Sequence, residues 1–165
     1  MAYRSRRRGF VISAVAAGLL LAVSNGHAST RGSTVTTRVV IPDGNAYTPS
    51  SWAGALLSAG GWPQTACNLS AIEAWERAEG GNWENSAAYN PLDTTMPESG
   101  ASLMNSVGVK AYPSWQEGFS ATLTTLENGN YPGILSALSA GNNAQAVANA
   151  VAASPWGTGS FQATC

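Results

Sequence analysis

From residue 48 onward the chain is cut at short intervals by helix starters and helix stoppers, and this punctuation leaves room for little except short helices. Thr48-Pro49 opens a segment carrying Trp52, Leu56 and Leu57, which Gly60-Gly61 stops. A threonine before the first turn accepts an orphan backbone N–H, and proline fits the first helical position because its missing N–H would have no partner there. Ser70-Ala71-Ile72-Glu73 has the form of a capping box, so a second helix is expected to begin there, with Glu73 structural, and to end at Gly80-Gly81. Ser114 and Glu117 repeat the box ahead of the stripe Phe119, Leu123 and Leu126, with Asn128-Gly129 as the stop. Pro132 opens a fourth helix through Ile134, Leu135 and Leu138 that Gly141 closes, and Asn143 caps an alanine-rich fifth through Val147 and Val151. The pattern predicts an all-α domain of about five helices over residues 48–165. The stretch from Asn82 to Pro113 is rich in Asn, Pro, Ser and Thr. A loop of about thirty residues inside so small a domain is usually functional rather than passive connection.

The first residues follow a different rule. Arg4, Arg6, Arg7 and Arg8 precede the apolar run Phe10 to Val23, and Gly26-His27-Ala28 then places small residues where a signal peptidase reads. Residues 1–28 are therefore expected to be a removable signal peptide. The apolar run is shorter than the roughly 20 residues a membrane-spanning helix needs. Arg7-Arg8-Gly9-Phe10-Val11 resembles the twin-arginine export signature, and paired arginines of an ordinary basic leader fit the same residues equally well. Residues 29–47 form a Ser-, Thr- and Gly-rich linker, with one possible strand over Thr34–Ile41 that Pro42-Asp43-Gly44 ends.

Removing such a leader decides much of the chemistry. Arg31, Arg38, Arg77 and Lys110 remain against nine carboxylates, a net charge of −5. So few cations cannot neutralise a run of phosphates, which argues against nucleic-acid binding, and they offer no attraction to an anionic membrane surface. The chain's only histidine, His27, leaves with the leader. No Ser-His-Asp triad, Cys-His pair or HExxH zinc site can be built from the remainder, so neither a metal nor a cofactor is expected and proton transfer is left to carboxylates. The two cysteines, Cys67 and Cys165, reach an oxidising compartment, where a disulfide between them is expected; it would tie the last residue to the start of a helix.

Among the carboxylates, Glu79 has the position that acid chemistry needs. Ile72, Trp75, Glu76 and Glu79 follow one another at i, i+3, i+4 and i+7, so Glu79 shares a helix face with apolar residues. It also falls in the last turn, where the negative end of the helix dipole disfavours an ionised carboxylate. Glycoside cleavage requires a carboxylic acid that stays protonated near neutral pH. The plain alternative is a helix-end glutamate that points to solvent. Glu76 is the reserve acid, expected to meet Arg77 or solvent, and Lys110 is expected on the surface. Trp52 and Trp75 belong to buried stripes, whereas Trp83, Trp115 and Trp156 lie at helix ends or in loops, where an aromatic face can cover a sugar ring.

Three segments read together carry a resemblance: Trp75-Glu76-Arg77-Ala78-Glu79-Gly80-Gly81, then Asn90-Pro91-Leu92-Asp93-Thr94-Thr95, then Gly108-Val109-Lys110-Ala111-Tyr112. They resemble the helix, loop and tyrosine arrangement of lysozyme-like peptidoglycan hydrolases, especially bacterial glucosaminidases and lytic transglycosylases. Tyr131, Ile134 and Leu138, with Ser154-Pro155-Trp156-Gly157-Thr158, resemble the same domain in phage and actinobacterial cell-wall proteins. The resemblance spans roughly residues 48–159. It implies a lysozyme-like fold with a long loop beside the catalytic helix, and a secreted or wall-associated monomer acting on peptidoglycan glycan strands. It puts the catalytic acid on Glu79, the loop that shapes the saccharide groove on Asn90, Thr94 and Thr95, and the groove tyrosine on Tyr112. The chain departs from these families in carrying Gly80 after the glutamate, where a serine or another family residue is usual, and in showing no evident glutamine-containing loop of the transglycosylase kind. Glu84, Asp93 and Glu98 are the loop carboxylates from which a second group would come, and no motif chooses among them. Without one, the substrate's own N-acetyl group would have to assist. A non-catalytic wall-binding or structural module of the same fold is the alternative, and a small helical protein with a protein partner is a third.

Overall fold

The computed structural model describes residues 46–165. The expected signal peptide (1–28), the strand expected over Thr34–Ile41 and almost all of the linker lie outside the described residues. Within them the chain forms five helices, α1 (Pro49–Ala59), α2 (Ala66–Glu79), α3 (Trp115–Glu127), α4 (Pro132–Ala140) and α5 (Ala144–Ala152). The long loop between α2 and α3 adds one short antiparallel pair, β1 (Ser102–Leu103) and β2 (Lys110–Ala111), with Ser102 opposite Ala111 and Leu103 opposite Lys110. The domain is thus mainly α, as the punctuation predicts.

Four of the helix starts follow the predicted chemistry. Thr48 and Ser51 cap α1 reciprocally, each side chain accepting the other's backbone N–H. Ser114 accepts the Glu117 N–H at the start of α3, one half of the expected box, the return bond from the Glu117 side chain being absent among the described residues; Pro132 sits in the first turn of α4, and Asn143 accepts the Ala146 N–H at α5. The start of α2 is a correction. Thr65, not Ser70, is its N-cap, accepting the Asn68 N–H at 3.1 Å, so the helix begins one turn before the expected box. The hydroxyl of Ser70 instead donates to the Thr164 carbonyl at 2.5 Å, and Glu73 meets Arg77 across one helical turn at 4.0 Å. Both residues lie inside the helix that Thr65 has already begun, so neither is needed as a cap. At the other end, Gly80 adopts φ 74°, the left-handed conformation that lets its N–H reach the Glu76 carbonyl and end the helix.

The core is filled by one stripe from each helix: Trp52, Leu56 and Leu57 of α1, Ile72 and Trp75 of α2, Phe119 and Leu126 of α3, Ile134 and Leu138 of α4, and Val147 and Val151 of α5. Trp52 meets the ring of Phe119 edge-on at 5.9 Å, a favoured aromatic geometry that joins α1 to α3. Helix α2 packs against α1 and α5, which makes it the central element. Asn68, fully buried on α2, donates from Nδ2 to the Pro63 and Leu138 carbonyls at 2.8 Å each and so holds α2 to the end of α4.

After α5 the chain returns along α2 in the opposite direction. Thr158 meets Glu79 at the C-terminal end of the helix, Thr164 meets Ser70, and Cys165 is disulfide-bonded to Cys67 in the first turn. The expected pairing of the two cysteines is present. Gln145 of α5 fastens the same strap by accepting the Ala163 N–H and donating to the Phe161 carbonyl.

Candidate functional site

The face of α2 that carries Ile72 and Trp75 also carries Glu76, and all three are buried. Glu76 is 2 % exposed, and among the described residues neither of its oxygens has a hydrogen-bond partner. Burial, reinforced by the charge of Glu73 and opposed by Arg77, pushes its carboxyl up to about 9. The expected pairing of Glu76 with Arg77 or with solvent is corrected on both counts, because Arg77 turns to Glu73 and the core closes over Glu76. Periodicity ranks Glu76 and Glu79 almost equally on this face; depth separates them. No substrate can reach Glu76.

Glu79, one turn later, is half-buried where the helix ends. Its Oε1 receives the hydroxyl of Thr158 and the indole N–H of Trp75, the latter at 3.3 Å. Trp75 Nε1 also donates to Thr158 Oγ1 at 2.9 Å, so the three side chains form a closed set. Desolvation raises the Glu79 carboxyl above its ordinary value; the bonds from Thr158 and Trp75 act against that rise, and the negative charge of Asp93 adds to it. The net effect favours the protonated acid, as the helix-end position predicts.

Of the three loop carboxylates, Asp93 is the one whose charge acts on Glu79. Its own carboxyl is raised by burial, against the bonds that Asn85 Nδ2 donates to its two oxygens at 3.3 and 2.9 Å. Asp93 has φ 51°, in the left-handed region that non-glycine residues rarely occupy, as do Asn82 (64°) and Tyr89 (57°). Such conformations cost energy and concentrate where a loop must hold an unusual shape, functional sites included. Here the approach is close: a Cβ on Gly81 would lie 2.0 Å from the Asn90 carbonyl and 2.6 Å from Asp93 Oδ1. Only glycine in that place lets the loop fold back onto the end of α2.

An open pocket of about 120 Å³ lies on the Asp93 side, lined by Asn85, Ser86, Ala87, Asp93, Met104, Asn105 and Val109. Glu79 is not among its walls. The pocket combines one carboxylate and two amides with the apolar surfaces of Ala87, Met104 and Val109.

The residues that the resemblance assigns to substrate divide by depth. Asn90 is fully buried and holds the loop from within, Nδ2 donating to the Thr94 and Lys110 carbonyls at 2.9 and 2.7 Å and Oδ1 accepting the Thr94 N–H at 2.9 Å. Thr94 is buried with its hydroxyl on that of Thr125 at 2.8 Å, which fastens the loop to α3. Tyr112 is buried and donates its hydroxyl to the Met96 carbonyl at 2.7 Å, so it packs inside the loop and not along a groove. Thr95 alone of the four is exposed.

The aromatic residues divide similarly. Trp83, Tyr47 and Tyr89 gather around Trp115 with ring centroids 5.1 to 6.1 Å away. Trp156 stands edge-on to Trp75 at 4.7 Å and donates its indole N–H to the Leu92 carbonyl at 2.9 Å. Trp156 thereby anchors the backbone beside Asp93, while Thr158, two residues on, contacts Glu79. Periodicity could not reveal Thr158, whose partner is 79 residues away in sequence. Its only signal is its place in the Ser154 to Thr158 segment of the resemblance.

Among the described residues no group of three or more His, Cys, Asp or Glu side chains is placed to hold a metal ion, and no helix is long and apolar enough to cross a membrane. Comparison with family models, with curated proteins and with solved structures returns no match for this chain.

Proposed function

We propose that the protein is an exported, lysozyme-like hydrolase or lytic transglycosylase of peptidoglycan, with Glu79 as the general acid. The observation that carries the reading is the state of Glu79: a half-buried carboxyl at a helix end, biased toward its protonated form and beside a second carboxylate in a strained loop. A protonated Glu79 gives its proton to the leaving glycosidic oxygen, and Asp93 is the group that stabilises the developing positive charge or directs water. The disulfide suits a compartment outside the cytoplasm, to which a leader over residues 1–28 would deliver the chain. With a net charge of −5 after that cleavage, recognition of an anionic wall rests on hydrogen bonds and on aromatic and apolar surfaces, not on charge attraction.

The test is release of soluble muropeptides from purified peptidoglycan by the wild-type protein, Glu79→Gln and Asp93→Asn, each checked for folding. Glu79→Gln is expected to slow release by about 10²–10⁴-fold, the usual contribution of a positioned general acid. New reducing ends identify hydrolysis, and anhydro-sugars identify an internal hydroxyl as the attacking group. Undiminished release by folded Glu79→Gln sinks the assignment of the acid.

A second reading, a non-catalytic wall-binding module, has one observation in its favour: the open pocket is lined by Asp93 without Glu79. It predicts that the wild type binds glycan and releases nothing.

A further inference from the structure

We infer that Thr158 is a positioning residue that fixes which oxygen of Glu79 carries the acid proton, holding Oε1 as an acceptor so that the proton resides on Oε2. The argument starts from Trp75, whose indole nitrogen can only donate. At 2.9 Å from Thr158 Oγ1 it must be giving its hydrogen to that oxygen, which takes up one of the hydroxyl's lone pairs and leaves the hydroxyl's single hydrogen to be directed elsewhere. The remaining partner of Thr158 Oγ1 is Glu79 Oε1. Trp75 Nε1 is itself within 3.3 Å of the same carboxyl oxygen. Oε1 therefore accepts the Thr158 hydroxyl and, as the longer branch of a shared contact, the Trp75 N–H, and a proton on Oε2 leaves both in place. Among the described residues both hydrogen bonds to the carboxyl fall on Oε1, so Oε2 is the atom that gains and loses the proton.

The surroundings isolate this contact. The ionisable groups near Glu79 are Glu76 and Arg77 on its own helix and Glu84 and Asp93 on the following loop. The helices packed against α2, α1 and α5, contain no ionisable side chain, and neither does the strap from Ser154 to Gln162. Thr158 is thus the strap side chain that hydrogen-bonds Glu79, and no charge on the strap acts beside it; the strap's other effect is burial. The strap is fixed on both sides of the contact, by the Trp156 bond to Leu92 before it and by Ser70 and the disulfide after it. The hydroxyl is consequently held in place before any substrate arrives.

A donor to the ionised carboxylate favours ionisation, so its removal must raise the Glu79 midpoint further. The experiment is a ¹³C NMR pH titration of the glutamate carboxyls in the wild-type protein, Thr158→Val and Thr158→Ser, with the Glu79 resonance assigned by its loss in Glu79→Gln. Thr158→Val is expected to titrate at higher pH than the wild type, and Thr158→Ser, which keeps the hydroxyl, to return to the wild-type midpoint. Thr158→Ala removes the hydroxyl without adding a methyl and serves the same comparison if the valine variant does not fold. An unchanged midpoint in a folded variant without the hydroxyl overturns the inference, as does a serine variant that titrates like the valine one. Where the proton sits does not depend on glycan cleavage; only its use as a catalytic proton rests on the proposed function. A shifted titration with no muropeptide release by the wild type would sink that function and leave the inference standing, and release with an unshifted titration would do the reverse.

Discussion

Glu76 is buried with both carboxyl oxygens unpartnered among the described residues, and it should dominate how stability depends on pH. In the unfolded chain its proton leaves near the ordinary value of 4.5, whereas in the folded protein burial holds it to about 9. Between those values the folded state binds more protons than the unfolded one, so stability falls as pH rises and levels off above the upper value. The slope is about 1.4 kcal/mol per pH unit at most. Glu79 and Asp93, also raised, contribute with the same sign. Replacing Glu76 with Leu removes a buried polar group without partners and is expected to stabilise the protein by about 1–3 kcal/mol at neutral pH. Its denaturant midpoint should also fall less steeply than the wild type's between about pH 5 and pH 9. Parallel pH curves for the two proteins would show that Glu76 ionises freely. The sequence put two carboxylates on the apolar face of this helix and favoured Glu79 by its place in the last turn; that Glu76 is the deeper of the two depends on what packs opposite, which periodicity does not contain.

At the scale of elements, the loop from Asn82 to Pro113 is held by bonds of its own, such as those of Asn90 and Tyr112, and by contacts with the helices on either side. It comes very close to α3 at Gly118, where an added Cβ would lie 1.8 Å from the Tyr89 carbonyl and 3.2 Å from the ring of Tyr112. Backbone cannot yield there as a flexible side chain would. Gly118→Ala should therefore destabilise the protein despite alanine's better helix propensity, by about 1–3 kcal/mol of overpacking, measured by denaturant unfolding. A neutral or stabilising result would mean that helix and loop do not touch at this point. Gly118 looks, in sequence, like a plain weakness inside a helix. Its reason lies in a partner nearly thirty residues earlier in the chain. Asn90 and Thr94 have the same character: a loop rich in Asn and Thr is visible in sequence, but which of those side chains turn inward to tie the loop together is not.

For the whole molecule, the Cys67–Cys165 bond closes a separation of 98 residues and holds the C-terminal strap against the helix that carries Glu79. Cross-linking so long a loop constrains the unfolded chain, and its loss through Cys67→Ser with Cys165→Ser is expected to lower stability by about 2–4 kcal/mol. Hydrogen exchange should then rise first along the strap, from Gly159 to Cys165, before the helices respond. Uniform loosening of all five helices would contradict a strap that yields before the core, to which this segment contributes Ala163 with Phe161 packed against it.

Composition and punctuation alone determined that the domain is mainly helical, where four of its helices stop and where four of them start, and that acid chemistry in a chain whose one histidine is His27 falls to carboxylates. These are local properties, set by caps, glycines and the absence of histidine, and they need no knowledge of what lies across the fold. Tertiary structure decided the start of α2, the withdrawal of Glu76, the choice of Asp93 from three loop carboxylates and the seating of Thr158 on Glu79. Each of these depends on burial or on a contact between distant residues, and the protonation of a carboxyl responds to both.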